Sequence, residues 1–177
     1  MRARHAEGWR GALDQIGHDA GSGTAADAAG ERNMNMIRRF GFGVLAYLAP
    51  TFVLGFVWHL ILFPRYYEAL AIYRKDVIIP FGFLSMSVQA VLFAWVYERV
   101  FSRRSGTLLS RGLVYAVFGA VLSWSFTTIA VAAKNVMTSV PNYLVIETAF
   151  TAVQWAIVGP LTAFAFAGAV REEPATA

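Results

Sequence analysis

The sequence contains no cysteine. This absence excludes disulfide bonds, thiol catalysis, iron–sulfur clusters and zinc sites built from cysteine. The catalytic patterns G-x-S-x-G, H-E-x-x-H, the P-loop and G-x-G-x-x-G are also missing. Of the three histidines, only His59 lies in a long apolar run, so one chain cannot supply two histidines to a haem within a membrane. We therefore expect no cofactor and no metal site.

Charged residues are scarce, at 15% of the chain, whereas 57% of the residues are hydrophobic and the mean hydropathy is +0.51. A soluble domain of this length keeps more polar surface, so the composition indicates a membrane protein. The net charge of +4 comes from arginines that flank apolar runs, and no RNA- or DNA-reading motif is present. We expect the lipid bilayer as a partner and no nucleic acid.

Four apolar segments are long enough to cross a bilayer as helices, at residues 40–63, 77–97, 112–133 and 143–170. A segment that crosses lipid must satisfy its own backbone hydrogen bonds, so helices are required. The sequence therefore predicts an all-α polytopic membrane protein, a four-helix transmembrane bundle. This domain would cover residues 37–171, with a short C-terminal tail at 172–177.

Residues 1–36 are rich in glycine, alanine and aspartate and have no sustained apolar period. Such a segment buries too little apolar surface to offset its ordering entropy, which predicts a disordered tail. A second interpretation is a mis-assigned start, because Met34 and Met36 stand just before Arg38 and Arg39 and would suit the start of a small membrane protein. Both interpretations stay open at this point.

Cations near the predicted spans favour one orientation. With the N-terminus inside, the inner set has eight arginines and the outer set four cations. The inner set is Arg32, Arg38, Arg39, Arg99, Arg103, Arg104, Arg111 and Arg171; the outer set is Arg65, Arg74, Lys75 and Lys134. The positive-inside rule then predicts a multi-pass protein of the cell inner membrane with both termini in the cytoplasm.

The first outer loop, residues 64–76, carries Tyr66, Leu70 and Tyr73 at helical spacing. This pattern predicts a short helix that lies at the membrane interface with its tyrosines at the level of the headgroups. The alternative is a lid over a pocket that opens outward.

Small and polar residues recur at helical spacing in every span. They are Thr51, Gly55 and His59; Ser85 and Gln89; Gly119, Ser123 and Thr127; and Glu147, Thr151 and Gln154. Residues four apart share one helix face, and helix contacts in lipid are rich in small and hydrogen-bonding side chains. These faces are therefore interpreted first as the packing seams of the bundle.

His59 and Glu147 both fall about 6 to 8 Å inside the outer membrane boundary, counted at about 1.5 Å per residue. Ionisable groups are costly within a span and usually face a partner in the interior. We therefore predict a polar pocket that opens outward, with an imidazole beside a carboxylate as a proton-sensitive element. Its binding residues would be His59, Glu147, Gln89, Gln154, Ser85 and Thr127. The alternative is two interfacial side chains that reach outward to water.

The sequence Phe-Val-Trp-His at the end of the first span, the tyrosine-rich loop and the three further spans resemble families of small bacterial inner-membrane proteins. The resemblance covers residues 37–170. It implies the four-helix membrane architecture, and because those families have no assigned chemistry it transfers no functional residue.

Three functions are compatible with these patterns. The first is an accessory or structural subunit that associates with itself or with a larger membrane complex through the small-residue seams. The second is a carrier or sensor of a small molecule or proton that uses the His59–Glu147 pocket. The third is a membrane enzyme for lipid or quinone, with His59, Glu147 and Tyr66 or Tyr67 as its only acid–base candidates. The missing motifs favour a non-enzymatic role, and we expect no catalytic residue.

Overall fold

A computed structural model describes residues 3–74, 76 and 78–167, with side chains described from residue 29 onward. The chain divides into two compact units, Met1–Arg38 and Arg39–Ala177. The packed core and the candidate site both lie in the second unit. The predicted C-terminal tail at 172–177 lies outside the described residues.

The described residues form helices and no strands. In chain order the elements are α1 (Ala3–Phe56), π1 (Val57–Leu62), α2 (Pro64–Leu70), α3 (Ile79–Val96), π2 (Tyr97–Phe101), α4 (Leu108–Ser123), π3 (Trp124–Ile129), α5 (Ala130–Lys134) and α6 (Val140–Ala167). The all-α class is thereby confirmed. The bounds of α1 include most of the segment for which the composition predicts a tail, and disorder there stays a prediction.

Four helical stretches are long and apolar enough to cross a membrane, judged by length and composition. They are Ala29–Leu62, Ile79–Phe101, Leu108–Lys134 and Val140–Ala167, and they are called spans 1 to 4 below. Each overlaps one of the segments predicted from the sequence. The chain is therefore compatible with a multi-pass membrane protein, as the apolar runs predict.

Three of the four spans contain a π-helical turn, in which a backbone N–H reaches back five residues instead of four. The Phe63 N–H donates to the Trp58 carbonyl at 3.0 Å, and the Ser102 N–H donates to the Tyr97 carbonyl at 2.9 Å. In span 3 the Ala130 N–H donates to the Ser125 carbonyl. Such wide turns shift the register of the residues that follow, and π1 contains His59.

Spans 3 and 4 pack closely because glycines remove the side chains between them. A Cβ on Gly159 would lie 2.5 Å from the Ala116 Cβ and 2.7 Å from the Gly112 carbonyl oxygen. A Cβ on Gly119 would overlap the Trp155 ring. The small-residue face predicted in span 3 is therefore a packing seam within this chain.

Aromatic side chains from all four spans meet around Trp155. Its ring centroid lies 4.8 Å from that of Phe93, 5.4 Å from that of Tyr115 and 5.8 Å from that of Tyr47. Trp155, Tyr115 and Tyr47 are almost completely buried. Edge-to-face and tilted pairs of this kind add to the packing energy of the rings. This cluster lies in the middle of the bundle, about two turns of α6 after Glu147.

The first outer loop begins with α2, seven residues long, which starts at Pro64 and ends at Leu70. Proline suits the first turn of a helix because its missing N–H would have no partner there. The next residue, Ala71, has a φ of 54°, and this left-handed conformation turns the chain back. A short helix is thus present in the predicted loop, while its position at the membrane interface stays a prediction.

Candidate functional site

His59 lies in π1, near the C-terminal end of span 1. Its Nδ1 atom is 2.9 Å from the carbonyl oxygen of Gly55, one helical turn earlier. A carbonyl oxygen can only accept, so Nδ1 carries the proton in this contact. The other ring nitrogen, Nε2, is consequently turned towards span 4.

Glu147 of α6 is buried and lies opposite His59. The distance from the His59 Nε2 to the Glu147 Oε1 is 3.6 Å, which is within ion-pair range and longer than a hydrogen bond. The same carboxylate oxygen accepts a hydrogen bond of 2.7 Å from the Tyr67 hydroxyl. The predicted meeting of His59 and Glu147 is therefore present in the structure, with Tyr67 as a third member.

The geometry constrains how many protons the pair holds. Because Nδ1 donates to the Gly55 carbonyl, a neutral His59 has only a lone pair on Nε2. A lone pair facing an ionised Glu147 carboxylate would be repulsive. The arrangement is favourable when the pair holds one additional proton, either on Nε2 or on the carboxyl group. With that proton the pair has no net charge, which is the cheapest state within a span.

The first outer loop covers this pair. The Tyr67 ring lies 4.6 Å from the His59 ring and 5.2 Å from the Tyr73 ring, centroid to centroid. On the other side, the Phe150 ring lies 5.0 Å from that of His59. The imidazole thus lies between aromatic rings, and its side chain is still 23% exposed. The alternative predicted for this loop, a lid over the site, stays a prediction.

The loop is also held by residues 135–139, which connect spans 3 and 4. The Thr138 hydroxyl donates to the Ala69 carbonyl at 2.7 Å, and the Thr138 N–H donates to the Leu70 carbonyl at 3.1 Å. Leu70 and Tyr67 are both buried, against Tyr143 and Ile146 of α6. Two hydrogen bonds from Thr138 and an apolar contact therefore hold the loop in place, in addition to the Tyr67–Glu147 hydrogen bond.

Burial raises the pKa of the Tyr67 phenol, and the hydrogen bond to Glu147 together with the nearby carboxylate raises it further. A raised pKa means that the phenol keeps its proton throughout the physiological range. Tyr67 therefore acts as a permanent donor to the Glu147 carboxyl group.

The other predicted site residues lie elsewhere. The Tyr47 hydroxyl donates to the Gln89 Oε1 at 2.7 Å, and the Gln89 Nε2 donates to the Ser85 hydroxyl at 3.0 Å. Gln154 donates to the Thr51 hydroxyl at 3.1 Å, and the Tyr47 hydroxyl lies beside both of these side chains. Gln89, Ser85 and Gln154 thus belong to a second polar group, deeper in the bundle.

Thr127 joins neither group through its side chain. Its hydroxyl donates to the Ser123 carbonyl one turn earlier, at 2.8 Å. Its backbone carbonyl instead accepts from the Tyr143 hydroxyl at 2.8 Å. The six residues predicted as one pocket are therefore distributed between an outer pair, a deeper network and one residue outside both, and their binding role stays a prediction.

Comparisons with protein-family models, with curated proteins and with solved structures find no match to this chain. Function must therefore be inferred from the site itself. Among the described residues, no group of three or more histidine, aspartate or glutamate side chains is placed to hold a metal ion. The site brings a carboxylate, an imidazole and a phenol together beside a loop.

Proposed function

We propose that this protein is a membrane sensor of protons at its outer face, with His59, Glu147 and Tyr67 as the sensing element. The observation that carries the proposal is the buried Glu147 carboxylate, which lies 2.7 Å from the Tyr67 hydroxyl and 3.6 Å from the His59 Nε2. A buried carboxylate within a span is expensive and is seldom present without a functional reason.

The signal would be the position of the outer loop. When the additional proton is lost, an ionised carboxylate faces the Nε2 lone pair, and the pair carries a negative charge beside the aromatic rings. Water solvates this charge more completely when the loop moves away from α6. The other titratable groups that face the pair are the phenols Tyr67, Tyr73 and Tyr143, which are neutral near pH 7.

The proposal includes the location of the protein. We place it in the cell inner membrane with both termini in the cytoplasm, because arginines predominate at the proposed inner ends of the spans. The sensing element then faces the outside of the cell. A role as an accessory subunit, and association with itself or a larger complex, stays a prediction.

Spin labels can follow the loop, because the chain has no native cysteine. We would introduce Glu68→Cys on the outer loop and Val145→Cys on α6, both at exposed positions, and measure the distance between labels in nanodiscs from about pH 5 to pH 9. We expect the distance to lengthen and its distribution to broaden as the pH rises. Glu147→Gln removes the titratable carboxyl group, so the change should disappear.

A matched control is Asp76→Asn, which removes a carboxylate from the same loop outside the site. This variant should keep the full response to pH. A distance that is constant with pH in the otherwise native protein, or a response that survives Glu147→Gln, would refute the proposal.

A further inference from the structure

A groove of about 370 Å³ lies between span 2 and span 3, away from the outer site. Its volume is within the range of small-molecule sites. Side chains that line it include Gln89, Phe93, Trp95, Phe118, Ser123 and Phe126. Trp95, Phe118 and Phe126 are exposed at its rim, so the groove is open towards the surroundings of the bundle.

Two hydrogen-bond donors at this groove have no acceptor among the residues that the structure describes. The Ser123 hydroxyl oxygen accepts from the Trp155 Nε1 at 3.1 Å, but its own hydrogen is not used. The Gln89 Nε2 gives one hydrogen to Ser85 at 3.0 Å and keeps the second. In the hydrocarbon core a donor without an acceptor is costly, so a ligand with acceptor oxygens would be stabilised here.

The depth of these donors limits what the ligand can be. Gln89 follows Ile79 by ten residues, and Ser123 precedes Lys134 by eleven, so both lie about 15 to 17 Å from the outer ends of their spans. With about 30 Å of hydrocarbon, this is close to the middle of the membrane. The ester carbonyls of phospholipids lie at the boundary and do not reach this depth. The ligand must therefore be wholly lipid-soluble and carry its acceptors on a compact head.

We propose that the groove binds a quinone, a flat ring with carbonyl oxygens and an apolar tail. The carbonyl oxygens would accept from Ser123 and Gln89, and the ring would pack against Phe93 and Phe118. The tail would leave towards the lipid past the exposed Phe126. This site is separate from the outer sensing element, so either proposal can fail without the other.

Binding can be measured with decylubiquinone, added to the full-length protein in nanodiscs of phosphatidylcholine without quinone. Quenching of tryptophan fluorescence reports binding, because Trp95 lines the groove. Ser123→Ala removes one donor, and we expect the Kd to rise about fivefold. The matched control is Ser125→Ala, whose hydroxyl donates to the Leu122 carbonyl outside the groove and whose loss should leave the Kd unchanged.

A second pair of variants tests the groove without touching its donors. Leu122→Phe narrows the groove and should weaken binding at least about tenfold, whereas Val117→Phe, on an exposed face outside it, should not. If Ser123→Ala disturbs folding because the hydrogen bond from Trp155 is lost, these two variants still test whether the groove binds the quinone. Equal Kd values for Leu122→Phe and Val117→Phe would overturn the proposal. Displacement of decylubiquinone by an equal concentration of decylbenzene would overturn it too, since the groove would then bind any apolar chain.

Discussion

Replacing Tyr67 by phenylalanine removes the hydroxyl that joins the outer loop to Glu147 and leaves the ring in place. Tyr67 is only 3% exposed, so water does not replace the lost bond of 2.7 Å. A hydrogen bond to a charged group contributes about 1.5 to 3 kcal/mol, and one to a neutral group about 1 kcal/mol. With a loss of about 2 kcal/mol, the population of the undocked loop should rise about thirtyfold.

Hydrogen exchange measures this population, since a backbone amide exchanges when its segment opens. In nanodiscs, peptides that cover residues 64–71 should exchange about thirtyfold faster in Tyr67→Phe than in the native protein. The matched control is Tyr66→Phe on the same helix, because Tyr66 is partly exposed and its hydroxyl makes only a long contact of 3.4 Å to the Asn142 carbonyl. Exchange in this control should change by less than about twofold.

Combining Tyr67→Phe with Glu147→Gln completes a double-mutant cycle. If the hydroxyl acts through the carboxylate, the effect of Tyr67→Phe should fall to about 1 kcal/mol or less when Glu147→Gln is already present. Equal exchange rates in Tyr67→Phe and Tyr66→Phe would refute the reasoning, because the loop would then be held by Thr138 and apolar packing alone.

Three further predictions concern the fold and its orientation. Gly159→Ala should destabilise the bundle by about 1 to 3 kcal/mol in a detergent-unfolding assay, because the new Cβ would lie 2.5 Å from the Ala116 Cβ. The control is Gly82→Ala, which has open space at its Cβ and should be neutral or stabilising. Thr107→Ala should lower the free energy of unfolding by about 1 kcal/mol in the same assay, because the Thr107 hydroxyl caps α4 by accepting from the Ser110 N–H at 3.2 Å. An unchanged unfolding midpoint would contradict this. Alkaline phosphatase fused to the C-terminus should be inactive, and activity there would reverse the proposed orientation.

The sequence predicted the outer pair correctly in one respect, because depth along a span can be counted. His59 and Glu147 fall at similar depths on two different helices, and ionisable groups in lipid usually find partners, so their meeting could be inferred. The structure places the two side chains 3.6 Å apart. The polar helix faces suggested that Gln89 and Gln154 lie nearby as well, although both lie deeper, near Tyr47.

The contact between Tyr67 and Glu147 was harder to predict from the sequence. The spacing of Tyr66, Leu70 and Tyr73 indicated one face of a short helix, and Tyr67 entered only as an acid–base candidate beside Tyr66. In the structure Leu70 and Tyr67 are the buried residues of α2, and Tyr66 is partly exposed. A seven-residue helix next to a π turn has no long apolar period, so its rotation about its own axis depends on what it packs against.

The sequence alone determined the class of this protein, since a run of about 20 apolar residues must be a helix in lipid wherever its neighbours are. Four such runs and scarce charge indicate a helical membrane protein without reference to any contact. Only the tertiary structure decided which polar groups meet. Glu147 accepts from Tyr67, which is distant in sequence, and Ser123 meets Trp155 rather than another serine or threonine. Contacts over such separations depend on helix rotation and on the π turns, which a local pattern does not specify.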